Sequence, residues 1–290
     1  MFLRPVLAMI FALGLAAHPA SAEQPVSPQP QPAADASDIV VEGQAARTLP
    51  AYIDKLAVSD FGRQVSRWRT PVCLSITGMS EPYASRIRAR FAAVAKSVNV
   101  ALGAAGCRPN VTIMLTGKSD AITRSLLTRR VLHVDMMGSD PPISDHEKAV
   151  ALAPRTVRWF GMTETLYSDG TRFIEGKGGM IGTWSASLVR KQTVEGLAGI
   201  VILIDEARLT GVTMTQLSDY VTLVALTKPD MSADYTGTDS IMALFAPADG
   251  RTVPPGMTRR DQNFLRALYA GSGQMTARQQ KMTIARNMRR

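Results

Sequence analysis

Histidine is scarce in this chain, with three in 290 residues: His18, His133 and His146. A Ser-His-Asp site would have to use one of them, and no Gly-x-Ser-x-Gly elbow is present to seat its serine. Cysteine is rarer still. Cys73 and Cys107 are the whole complement, without the Cys-x-x-Cys spacing of a redox motif. Beyond residue 22 no apolar run reaches about 18 residues, so the pattern predicts no second membrane span. Gly117-Lys118-Ser119 follows a strand pattern like a phosphate loop, but position 112, where the first glycine is required, is Thr. That excludes the nucleotide reading. No internal repeat is visible.

What is present begins with an export signal. Arg4 gives a positive start, Val6 to Ala17 an apolar core, and Ala20-Ser21-Ala22 a small-x-small cleavage site. The expected location is periplasmic or secreted, after cleavage near Ala22. Export makes Cys73 and Cys107 an expected structural disulfide. The net charge of +9 ordinarily points to nucleic acid, but in an exported chain it points to an anionic envelope surface, or simply to solvated helix faces. No lipid-anchor cysteine stands at position 23.

The expected organisation is a signal over 1–22, a disordered Pro/Gln/Ala-rich leader over 23–45 and one globular domain over 46–290. Ile39-Val40-Val41-Glu42-Gly43 resembles the TonB box of outer-membrane receptors, which implies a TonB-linked accessory. The same residues also read as an edge strand after a linker. Pro71–Thr77 reads as a strand and Val111–Leu115 as another. Between them a helix starts behind Ser80 and runs to about Leu102, with the stripe Ile87, Phe91, Val94, Val98 and Leu102. Together they form a βαβ unit with parallel strands, which brings Cys73 near Cys107. Residues 118–130 read as helix and 138–154 as irregular. Strands are expected over Arg155–Tyr167, Thr183–Leu188 and Ala198–Ile204. Thr213 and Gln216 form a capping box, opening a helix to about Lys228 that is apolar on nearly every side. Pro229 stops it, and two more helices follow Thr258 and Thr276.

Candidate chemistry is sparse. Asp219 stands on that apolar helix, where a carboxylate needs a partner unless it faces outward beside Gln216. It is the first candidate for a carboxylate-dependent hydrolase. Asp205 and Glu206 follow the preceding strand. Asp145-His146-Glu147 reads as a solvated charged turn. His133 and Asp135 share a strand face but lack a third ligand. Trp68, Trp159 and Trp184 read as packing residues. No metal and no cofactor is expected.

The last third resembles the metzincin peptidases. Gly199–Ile204 and Thr213–Lys228 match the strand and helix that carry the zinc motif in that family. Ser240-Ile241-Met242 is similar to its methionine turn, and Asp261, Phe264-Leu265 and Leu268-Tyr269-Ala270-Gly271 to its closing helix. The stretch Gln216-Leu217-Ser218-Asp219-Tyr220 lacks the His-Glu-x-x-His that would place two imidazoles on one zinc. The chain also resembles a loosely defined group of exported alphaproteobacterial proteins, which brings no activity with it. The resulting expectation is an α/β (α+β) domain with a mixed sheet, a βαβ start and C-terminal helices, zincin-like but without zinc. Such a protein would bind an envelope partner or an anionic surface without catalysis.

Overall fold

The computed structural model describes residues 48–59, 63–128, 144–171, 191–246, 250 and 252–289. The expected export signal, the expected leader with Ile39–Gly43, the strand expected over Thr183–Leu188, His133, Asp135 and Trp184 lie outside the described residues. The fold is α/β, and β5 (Thr193–Asp205) is its spine. Along one edge β5 carries β4 (Val157–Tyr167) antiparallel, in register from Val157 opposite Ile204 to Tyr167 opposite Thr193. Along its other edge lie two parallel partners, one after the other. The two-residue β1 (Arg67–Trp68) pairs with Gly196 and Leu197, and β3 (Val111–Thr116) pairs with Ile200 through Asp205. Beyond β3 lies β2 (Leu74–Thr77), also parallel.

The central strand is buried on both faces, which explains its near-continuous apolar run. Ile200, Ile202 and Ile204 face a large core built with α2 (Glu81–Ser97) and α5 (Met214–Thr227). Leu203 and Val201 face a smaller cluster with Phe160, Ile122 and Leu126, covered by α3 (Ser119–Thr128) and α4 (Asp145–Leu152). A bulge at Met162/Thr163 skips Ala198 in the pairing. The extra residue reverses the alternation of faces, so odd-numbered Leu197 joins the same core as even-numbered Ile200. Each such fully buried aliphatic side chain contributes about 1.5–3 kcal/mol.

The helix after Ser80 ends at Ser97, earlier than its apolar stripe suggests. Asn99 turns left-handed at φ 59°, and the Val100 amide returns to the Ala95 carbonyl. Leu102 is therefore not helical; it bridges to Val72. Residues 145–152, expected to be irregular, form α4, because Ser144 and Glu147 make a reciprocal capping box. The Asp145-His146-Glu147 triplet is the exposed first turn of that helix rather than a loop. The expected box at Thr213/Gln216 is present, and the expected caps Thr258 and Thr276 also prove to be boxes, completed by Asp261 and Gln279. The last two helices are α6 (Arg259–Ala270) and α7 (Ala277–Met288). A first helix, α1 over 48–56, was not legible in the sequence. It buries Leu49, Tyr52, Ile53 and Leu56 in the large core.

Cys73 and Cys107 are joined in a disulfide, with Cα atoms 6.0 Å apart. They sit just before β2 and β3, so the bond closes the βαβ unit at its base. A Cβ on Gly103 would lie 2.6 Å from the Cys107 sulfur, so that glycine is required by the bridge. Among the described residues no helix is long and apolar enough to cross a membrane.

Candidate functional site

The residues that would carry chemistry on α5 are 216 to 220. Each is held by its surroundings. Gln216 completes the helix cap, and its Nε2 donates to the Pro254 carbonyl at 2.9 Å. The Ser218 hydroxyl donates back to the Met214 carbonyl at 2.6 Å. Leu217 is buried in the core.

Asp219 does not face outward. It is 2% exposed, because the helix side beside Gln216 is covered by α2 and by the segment leading into α6. Arg90 from α2 donates its Nε–H to Oδ1 in an ion pair, and the Met257 amide donates to Oδ2 at 2.7 Å. A Cβ on Gly256 would approach Oδ2 to 2.6 Å, so glycine there lets the backbone reach the carboxylate. The Arg90 side of the pair lines a cavity of about 210 Å³ between α2 and α6, rimmed by Ser97, Gln262 and Arg266. With one charge opposite it and one amide on its second oxygen, Asp219 is a buried strut between three segments.

Tyr220 fills the next position. Its ring packs edge-on against Phe245 at 4.9 Å and against Trp159 at 6.4 Å. Burial raises its hydroxyl well above the ordinary phenol value, against the opposing field of Arg155. Trp159 donates its indole N–H to the Pro229 carbonyl at 2.7 Å. The space between the edge strand β4, the helix α5 and the turn at Ile241–Phe245 is therefore occupied by three aromatic rings.

That turn carries Ser240-Ile241-Met242, and Met242 is buried beneath α5. It is fixed by Asp261 of α6. Oδ1 accepts from Tyr52 at 2.8 Å and from Ser240 Oγ at 2.6 Å. Oδ2 accepts from the Ile241 amide at 2.8 Å and from the Thr258 amide and hydroxyl at 3.0 Å. Burial pushes the Asp261 carboxyl up, and these donors offset only part of that shift. Arg260 lies 4.4 Å over the Tyr52 ring and closes the cluster from outside.

Asp205 belongs to a different network, at the C-terminal ends of β3 and β5. Ser119 Oγ donates to its Oδ2 at 2.6 Å, Arg208 pairs with the same oxygen, and the Ala207 amide bonds Oδ1 at 3.0 Å. Burial alone would raise this carboxyl; the Ser119 hydroxyl and the Arg208 guanidinium outweigh it and hold it below the usual range. Ser119 in turn accepts from Arg158 at 3.0 Å. Arg158 is 1% exposed and also donates to Asp120 and to the Ala151 and Ala153 carbonyls. A serine whose proton points to a carboxylate and whose oxygen receives a guanidinium N–H is not activated as a nucleophile. The network pins α3 and α4 to the sheet. Glu206 is exposed beside it, and Trp68 is a core residue whose indole donates to the Ala225 carbonyl.

The structure thus separates Asp205 from Asp219 and gives each its own cation. Arg90 and Arg158 complete these networks, and the sequence did not single out either of them as a partner. Arg90 alone had a signal: it stands three residues after Ile87, at the border of the α2 stripe. Among the described residues no group of three or more His, Cys, Asp or Glu is arranged to hold a metal ion. Comparison with family models, with curated proteins and with solved structures returns no match for this chain.

Proposed function

We propose that this is an exported, non-catalytic cell-envelope protein that binds a partner or an anionic surface on a zincin-like scaffold. The observation that carries the reading is the filling of the groove beside α5 by Tyr220, Trp159 and Phe245. Where a peptidase of the resembled family would need an open cleft and metal ligands, this chain supplies close-packed rings and a neutralised carboxylate. The scaffold part rests on the order of elements. A βαβ start, an antiparallel edge strand, a buried helix, a methionine-bearing turn and a closing helix tied to it through Asp261 agree with what the metzincin resemblance implies. The anionic surface rests on the charge of +9.

The runner-up, a hydrolase working through Asp219, loses support because both oxygens of that carboxylate are engaged. Two measurements test the proposal. Elemental analysis of purified protein is expected to show no stoichiometric zinc, and a full equivalent of bound zinc would overturn it. Peptide and ester substrates are expected to turn over no faster with the native chain than with Asp219→Asn.

A further inference from the structure

The outward face of α7 is unlike the rest of the described surface. Taking about 100° per residue around a helix, Arg278, Lys281, Met282, Ala285, Arg286 and Arg289 fall on one side, opposite the buried Gln280 and Ile284. Met282 is 63% exposed, more than any other large hydrophobic residue described. Beside it, between α7 and α1, runs an open groove of about 1060 Å³ whose apolar lining includes Pro50, Ile53 and Met275. The one acid on its rim, Asp54, is bound to Lys281 at 2.9 Å. Arg278, Arg286 and Arg289 stand exposed, with no acidic side chain paired to them among the described residues.

From this we infer that the α7 face docks on the surface of a bilayer containing anionic phospholipid. The charge pattern selects that occupant. The cations are strung along about three turns at helical spacing rather than converging on a point, which suits an array of headgroup phosphates. The apolar centre is an unbranched thioether on a convex helix, free to enter a fluid acyl layer while the flanking arginines extend to the headgroups. Among the described residues the face offers no free strand edge and no converging polar pocket, two of the devices that read a peptide. The inference deepens the non-catalytic binding reading by naming the surface and its partner.

The test is sedimentation of the purified chain, freed of its signal, with vesicles of phosphatidylcholine alone or mixed with phosphatidylglycerol. Binding to the mixed vesicles is expected, and it should weaken as salt is raised. Replacing Arg278→Glu together with Arg286→Glu should weaken it by roughly tenfold or more. Met282→Asp should weaken it with every native cation in place. Arg278→Gln with Arg286→Gln gives a milder loss and serves if the reversal disturbs folding, which thermal melting reports. Equal binding to pure phosphatidylcholine, native binding by the variants, or no sedimentation at all would overturn the inference. So would complete displacement by inorganic phosphate, which reduces the face to a simple anion site, or a preference for polyglutamate over vesicles, which assigns it to an acidic protein. Failure here leaves the non-catalytic reading standing, since that reading falls on bound zinc or turnover instead.

Discussion

Asp219 and Arg90 form an asymmetric pair: the carboxylate is 3% exposed and the guanidinium 39%. Removing the cation strands a buried charge, whereas removing the charge leaves an arginine that water can reach. Arg90→Ala should therefore cost about 3 kcal/mol and Asp219→Asn less, with the double substitution recovering part of the loss. Urea unfolding of the three variants measures this, and equal costs for the two single changes would contradict the strut. Asp205 gives a pH signature. Its folded carboxyl lies below the ordinary value of about 3.9. Its stabilisation is thus complete above that value and is lost as pH falls through the folded one. Asp261 is shifted the other way, so acid favours the folded state through that group. Asp205→Asn should flatten the acid limb of a melting-temperature curve below about pH 4, and an unchanged slope would remove the assignment.

At the scale of elements, the disulfide is the clearest device. It links residues 34 apart in sequence across α2, so Cys73→Ser with Cys107→Ser should cost about 3–4 kcal/mol, measured by denaturant unfolding. The pairing was legible because the expectation of export and the βαβ pattern both pointed to it. The caps at Thr213, Thr258 and Thr276 were equally legible, since a cap is made within four residues. α4 was not: its box at Ser144 and Glu147 follows Pro141-Pro142, which draws the eye to a loop. β1 is two residues long, too short for any alternation to show. The burial of Arg158 was not legible either, because its acceptors come from Ser119, Asp120, Ala151 and Ala153, segments joined only by folding. Asp219 was legible as a carboxylate needing a partner, but which cation met it was not.

At the scale of the whole molecule, stability is graded outward from β5. That strand is bonded on both edges and covered on both faces, while α7 rests chiefly on α6. Amide exchange should be slowest in β5 and the adjoining half of α5 and fastest, among the helices of the large core, in α7. Uniform protection across these elements would contradict that grading.

The Asp261 cluster sets an order of events. One carboxylate gathers Tyr52 from the first described helix, Ser240 from the turn and Thr258 from the head of α6. The core it seals draws side chains from Leu49 at one extreme and Ile284 at the other. A growing chain whose residues from Ser240 onward are still held in the ribosome has therefore not acquired the acceptor that closes this core. It must wait, open and vulnerable to proteases and chaperones alike, until α6 emerges.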